Sequence, residues 1–388
     1  MAILYLNNAS TTKPDKEVLR DFIWCAETYW QNPSDVSDGG LEARDIIKVA
    51  QKQIACSINA KPEEIIFTSG GSESNNWAIK GFLDKNKDYK TIITTKIEHS
   101  SVYNTCQYME KHGCKVLYVP VDGCGRVNIG SLEKLIKDGQ DKSITRPFVS
   151  IMFANNEIGT IQDIKKISEV VHKYNGVLHC DAVQAYLHTE IDVKDLGIDM
   201  MSASFHKFGG FKNCGFLYVK NGIELTPLIH GGHQFDSKRA GTENVPMIYA
   251  MGNQVQRYNY DIDIFKERIK DLFDYTMFQI YDRCYDCDID LNGSLYHRMF
   301  NNISLIIKGV NASRLISLLE LKGICVSAGS ACNAGEKTPS RVLKAIGLSN
   351  EDAFSTIRIS LNKDTTKEEI DYFVNALYEC VKSLQIFM

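Results

Sequence analysis

Seven short runs rich in β-branched and aromatic residues punctuate the stretch from residue 64 to 222: EIIFTSGG (64–71), TIITTKIEHS (91–100), KVLYVPVD (115–122), FVSIMFANN (148–156), GVLHCDAV (176–183), IDMMSASFHK (198–207) and GFLYVKNG (215–222). Each reads as a strand. Between them lie segments such as ESNNWAIKGFLDKN and IKKISEVVHKYNG, whose apolar residues recur every three or four positions, the helical period. This alternation predicts an α/β fold with a mostly parallel sheet and helices on both faces. In such sheets ligands sit beyond the carboxyl ends of the strands. Those ends here carry SGGSES, EHSS, NNEIG, DAVQ and SFHK, all polar. A site assembled from several loops is therefore expected.

After about residue 255 the pattern changes. FKERIKDLFDYTMFQIYDRC reads as a helix, FNNISLIIKGV, GICVSAG and STIRISLN as strands, and KEEIDYFVNALYECVKSL as a closing helix. We expect a large domain over 16–259 and a smaller α+β domain from 1–15 and 260–388.

With 44% hydrophobic and 24% charged residues the composition is globular, and a net charge of −4 offers no basic excess for nucleic acid. No run approaches the roughly 18 apolar residues of a membrane span. The opening MAILYLNNAS lacks the features of a signal peptide, so a cytoplasmic protein with reduced thiols is expected. Most of the 12 cysteines should then be small buried residues. Cys284 and Cys287 form a lone C-x-x-C with no second pair at zinc spacing, so no metal site is expected.

Several segments have two readings each. SGGSESN (69–75) follows a strand and opens a helix; it is either an ordinary helix cap or a phosphate cradle of free backbone N–H groups. Asp181, at the end of the apolar run in HCDAVQ, is a cap, an ion-pair partner, or a fixed anion that keeps a ring nitrogen protonated. Lys207, in SASFHKFGG, is a surface charge or a partly buried amine poised to attack carbonyls. His99 is a satisfied core residue or a proton shuttle. Arg358, inside the apolar strand STIRISLN, is half of a buried ion pair or a planar fork for a carboxylate. Phosphate loop, Asp and Lys follow one another in chain order, each at a strand end. Jointly they point to a pyridoxal 5'-phosphate (PLP) site, which pairs a Schiff-base lysine with an aspartate at the pyridinium nitrogen.

With these residues in place the chain resembles the cysteine desulfurases of aminotransferase class V, in the group I branch with a long catalytic loop. The resemblance rests on YLNNASTT (5–12), TSGGSESNNWAIKG (68–81), ANNEIGTIQDI (154–164), HCDAVQ (179–184), SASFHK (202–207), RAGTENVP (239–246), GICVSAGSAC (323–332) and STIRISL (355–361). It implies a PLP-dependent aminotransferase-like fold of type I. It implies that Lys207 carries PLP, Asp181 pairs with its ring nitrogen, Gln184 bonds the ring hydroxyl and His99 stacks on the ring. Gly71, Ser72, Ser204 and His206 would hold the phosphate, joined by Thr242 from the partner subunit of a homodimer. Asn156 and Arg358 would hold the substrate carboxylate. Cys332 would be the nucleophile that takes sulfur from L-cysteine, leaves L-alanine, and passes its persulfide to an acceptor protein, either an iron–sulfur scaffold or a tRNA-thiolation enzyme. A selenocysteine lyase, another C–S lyase, or a non-catalytic scaffold are the competing readings.

Cys332 sits in SAGSACNAG (327–335), a segment of small polar residues that reads as a mobile loop able to carry the thiol between substrate and acceptor. The chain also departs from the family pattern. Asn7 stands where Asp is usual. Asp35 and Ser37 alter N-P-S-S-x-H, Phe211 and Asn213 alter G-P-K-G, and Phe235 and Asp236 alter Q-E-R-G. These departures fall on the rim of the expected site and on its subunit surface.

Overall fold

The computed structural model describes residues 3–140, 146–328 and 338–386. All seven expected strands form, and they build one sheet in the order Ile65–Thr68, Gly215–Val219, Met200–Ser204, Val177–Asp181, Pro147–Ser150, Thr91–Thr95, Lys115–Val119. Only Gly215–Val219 runs antiparallel to its neighbours. The cause is length. A parallel crossover takes a dozen or more residues, whereas only residues 205–214 separate Met200–Ser204 from Gly215–Val219. The chain must turn straight back, and Lys207 lies in that turn. The strands are shorter than their sequence runs because the polar ends leave the ladder to become site loops.

Both faces of this sheet are buried, as its helices require. Successive side chains point to opposite faces. Ile65, Phe67, Met201, Phe216 and Tyr218 join one apolar cluster, and Ile66, Met200, Leu217 and Val219 join another. The smaller unit is a four-stranded antiparallel sheet, Ser327–Ala328, Thr356–Ser360, Asn302–Ile307 and Ile289–Leu291, with its own core under helices Ala312–Leu321 and Lys367–Ile386. The predicted strand in GICVSAG is two short pieces. Ile324–Cys325 pairs in parallel with Leu4–Tyr5, while Ser327–Ala328 joins the four-stranded sheet.

Helix Val245–Arg283, 39 residues long, links the two units and runs across the 259/260 boundary. Asn244 caps its start by accepting from the Met247 N–H, with Pro246 in the first turn where its missing N–H costs nothing. Its first turns bury Val245, Ile248 and Met251 in the large core, and its later turns bury Ile269, Leu272 and Met277 in the small one.

Gly215 shows how closely fold and site are joined. A Cβ there would sit 2.7 Å from the Cα of Gly70, whose φ of +136° opens the helix Gly71–Lys85. Gly215→Val should therefore destabilise the protein by about 1–3 kcal/mol, the usual penalty for overpacking, and weaken cofactor retention with it. Thermal melts read with and without added PLP check this.

Candidate active site

The carboxyl ends of the parallel strands converge on a cavity of about 340 Å³. Its lining includes Gly71, Ser72, His99, Asn156, Asp181, Gln184, Ser204, His206, Lys207 and Arg358. Ten residues expected from separate motifs thus share one cavity. Two others stand apart. Thr242 is exposed and lies outside it. Cys332 lies outside the described residues, but its flanks are placed. Ser327 pairs with Arg358 on one side of the cavity, and Ser340 and Arg341 lie against Glu157 and Glu98 on the other.

One end of the cavity is built for an anion. Helix Gly71–Lys85 starts there, and the N–H groups of its first turn have no partners within the helix. Its N-cap is Gly70, and Glu73 in its first turn is held by Arg239 at 3.0 Å. A Cβ on Gly71 would come within 2.6 Å of the Val183 side chain, so only glycine keeps this wall open. Ser204 and His206 close the same end. Burial and the neighbouring Lys207 push the His206 imidazole down to about 3, so it is neutral and able to donate or accept.

At the base, Asp181 is 4% exposed. Its Oδ1 accepts from the Val183 N–H at 3.0 Å and its Oδ2 from Asn75 Nδ2 at 2.8 Å. Lys207 Nζ donates to the carbonyls of Ala9 and Ser10, both at 2.7 Å. Gln184 Nε2 donates to the Ala9 carbonyl as well, at 3.0 Å. The N-terminal segment thus steadies the amine from below.

Arg358 is 1% exposed. It donates to the Asn156 carbonyl and, through Nη2, to Asn7 Oδ1, both at 2.8 Å. The departure at Asn7 therefore falls on this guanidinium, where a neutral amide oxygen replaces a carboxylate. Of the other departures, Ser37 caps helix Asp38–Ser57, and Phe211 packs on Phe22 at 5.2 Å. Asn213, Phe235 and Asp236 adopt positive φ, where asparagine and aspartate are at home but phenylalanine is not.

Sequence reasoning missed several lining residues, among them Asn75, Glu98, Glu157 and Arg341. Three lie inside quoted motifs as neighbours of the residues singled out, so a search for polar groups beside each candidate would have found them. Burial pushes the Glu98 carboxyl up to about 8, and Glu157 up as well. Arg341 is legible only in space. It contacts the Lys96 carbonyl, donates to the Glu98 carbonyl at 2.7 Å and covers the Tyr103 ring at 3.8 Å.

The family model for aminotransferase class V matches residues 4–373. The chain belongs to the class-V aminotransferase family. A cysteine desulfurase IscS of Dictyoglomus turgidum is 41% identical, the match covering 98% of this chain and 95% of that one. A cysteine desulfurase IscS of Methanosarcina thermophila is 39% identical, over 98% and 93%. Among solved structures, a NifS-like protein superposes with a TM-score of 0.89 at 34% identity, covering 98% of this chain and all of that one. SspA in complex with cysteine gives 0.81 at 34% identity, over 94% of this chain and all of that one.

Class-V enzymes use PLP, and this cavity fits it on its own chemistry. A glycine-walled helix start with Ser204 and His206 suits a phosphate. A buried carboxylate suits a protonated ring nitrogen. An amine between them suits the carbonyl carbon. Among the described residues no cluster of His, Cys, Asp or Glu is arranged to hold a metal.

Glu98 gives a test through pH. Its folded-state pKa, about 8, lies above the value of about 4.3 for an unperturbed Glu. The native state therefore holds a proton that the unfolded chain releases between these values. Glu98 thus costs stability progressively as pH rises through that window. Glu98→Gln should flatten the loss of stability between pH 5 and 8 relative to wild type, as read by urea unfolding at both pH values.

Proposed function

We propose that this protein is a PLP-dependent cysteine desulfurase that converts L-cysteine to L-alanine and stores the sulfur as a persulfide on Cys332. The observation that carries this reading is one cavity holding Lys207, Asp181, His99 and Arg358, with Ser327 and Ser340, the described residues on either side of Cys332 in sequence, seated beside it. The names of the relatives support the same reaction.

When bound, PLP supplies an electron sink for bonds next to the substrate nitrogen. Lys207 would hold it, and the buried carboxylate of Asp181 would keep its ring nitrogen protonated. Gln184 would meet the ring hydroxyl, and the imidazole of His99 would lie against the ring. Gly71, Ser72, Ser204 and His206 would take the phosphate. Asn156 and the fork of Arg358 bind the substrate carboxylate and so point its side chain at the rim. The Lys207 amine would move protons over the substrate. The Cys332 thiolate attacks the substrate sulfur. An S–S bond forms as the Cβ–S bond breaks, and the carbon takes up a proton. Cysteine and a protein thiol thereby give alanine and a persulfide with no outside oxidant.

The working unit in this proposal is a homodimer in which Thr242 completes the partner's phosphate site. Thr242 is exposed on the isolated chain, and Ile23, Trp24, Trp30 and Val36 expose apolar surface that a second copy would cover. The persulfide passes to an acceptor protein, an iron–sulfur scaffold or a thiolation enzyme. We place the reaction in the cytoplasm. The described cysteines are free thiols, which suits a reducing compartment. Among the described residues no helix is long and apolar enough to cross a membrane.

The purified protein should be yellow and should release alanine and, with a reductant, sulfide from L-cysteine. Cys332→Ala should keep the colour and lose sulfide release by at least about 100-fold, since no other group replaces a covalent nucleophile. Lys207→Ala should lose both the near-visible band and turnover. Wild-type protein that stays colourless after incubation with PLP overturns the proposal. So does a Cys332→Ala variant as fast as wild type.

A further inference from the structure

Four side chains in the cavity form an unbroken hydrogen-bond chain from Asp181 to His99. Asn75 Nδ2 lies 2.8 Å from Asp181 Oδ2 and 2.9 Å from Ser101 Oγ. Ser101 Oγ lies 2.8 Å from His99 Nδ1, and the Ser101 backbone N–H also points at Nδ1, at 3.2 Å.

The direction of each bond follows from what each group can do. A carboxylate only accepts, so Asn75 must turn its nitrogen, not its oxygen, toward Asp181. That choice leaves Asn75 Oδ1 buried with no hydrogen-bond partner among the described residues. The carboxylate is what holds the amide this way round. The second Nδ2 proton goes to Ser101 Oγ, which has its own proton left to give. Two donors, the Ser101 hydroxyl and the Ser101 N–H, then converge on His99 Nδ1. A nitrogen that accepts from a backbone N–H carries a lone pair, so the ring proton sits on Nε2.

We propose that Asn75 and Ser101 are positioning residues that tie His99 to Asp181 and hold its imidazole neutral, with the proton on Nε2. Neither has to touch the substrate. Asn75 is 1% exposed and fixed in helix Gly71–Lys85, and Ser101 lies in the first turn of helix Ser100–Lys111, which His99 caps. Nδ1 is occupied, so the Nε2–H edge is what His99 offers to a cavity ligand. The same carboxylate that would hold the cofactor's ring nitrogen thereby sets the rotamer and tautomer of the ring stacked beside it.

The charged groups around His99 act with this chain. Burial is the largest influence and disfavours the imidazolium. Lys207 in the strand-end turn and Arg341 at the start of helix Arg341–Ala345 oppose it too, while Asp181 alone among the named neighbours favours it. Glu98, the preceding residue, is protonated at neutral pH, and His206 is neutral. Ser101 adds the directional element that these charges lack.

The chemical consequence rests on the desulfurase reading above, but the tautomer does not. The test uses histidine-labelled protein as isolated, with the His99 resonances assigned by their loss in His99→Gln. Nitrogen NMR should show His99 protonated at Nε2 alone through neutral pH. Ser101→Ala removes one donor to the neutral form. It should move the His99 titration, and the acid limb of kcat/KM for cysteine, to higher pH, with kcat/KM down about five-fold on that limb, the worth of one hydrogen bond. KM should change less than kcat. Ser101→Thr, which keeps the hydroxyl, should restore both readouts. Asn75→Ala should move the titration the same way by less, and it serves as the second arm if Ser101→Ala does not fold. Superimposable His99 titrations in wild type and these variants would overturn the inference, as would a wild-type ring protonated at Nδ1. A wild type without desulfurase activity would instead sink the proposed function and leave the tautomer result standing.

Discussion

The site depends first on one buried carboxylate. Asp181 closes an interior strand of a sheet covered on both faces, a place where an unpaired charge costs several kcal/mol. The chain meets that cost with two donors, the Val183 N–H and the Asn75 amide. Both constrain more than Asp181. The first turns the backbone so that Gln184 reaches the Ala9 carbonyl, beside Lys207. The second fixes Asn75 and, through Ser101, His99. One anion therefore orders the base and one wall of the cavity. The antiparallel return from Ser204 to Gly215 supplies the amine, because the connection is too short for a crossover α-helix and turns back from a single 3-10 turn, Phe205–Lys207.

The other wall belongs to the smaller unit, and it reaches across to the larger one. Arg358 is centred in strand Thr356–Ser360 yet donates to Asn7 and to the Asn156 carbonyl. Ser340 donates to Glu157 Oε2 at 2.5 Å, and Arg341 caps the turn before His99. Val342, Leu343 and Ile346 pack with Ile97, Met152 and Ile158 in a small cluster of their own. The residues that follow the Cys332 segment are thus seated on the large unit, at the turn that carries His99. The residues that precede it are seated beside Arg358.

Much of this was legible in the sequence. Strand–helix alternation gave the sheet, and polar strand ends gave the loops that build the cavity, because both follow from local periodicity. Ten of the expected site residues share one cavity for that reason. What the sequence withheld is of another kind. The antiparallel strand depends on a loop length weighed against a topological rule. Arg341 sits 242 positions from His99, and only the folded chain brings it to the turn before that histidine. Asn75 and Ser101 are common helix-start residues, and their role exists only through Asp181. Glu98 and Glu157 are set apart only by the burial that raises them, which the fold alone provides. The long helix Val245–Arg283 carries no break at residue 259 because its two halves serve two different cores.

These buried acids decide what the cavity welcomes. Counted by formal charge, Asp181, Glu98 and Glu157 would balance Lys207, Arg341 and Arg358. Burial changes the count, because Glu98 holds its proton at neutral pH and Glu157 is pushed the same way. Asn7 adds nothing negative where it meets Arg358. Lys207 and the two guanidiniums then outnumber the acids that keep their charge, and the Asp181 carboxylate is committed to the base of the site. The remaining charge is positive, and Arg358 and the start of helix Gly71–Lys85 both line the open volume. A phosphate at one end and an amino-acid carboxylate at the other are the ligands such a field selects. A neutral residue at position 7 leaves more of the Arg358 charge to the substrate than an aspartate would.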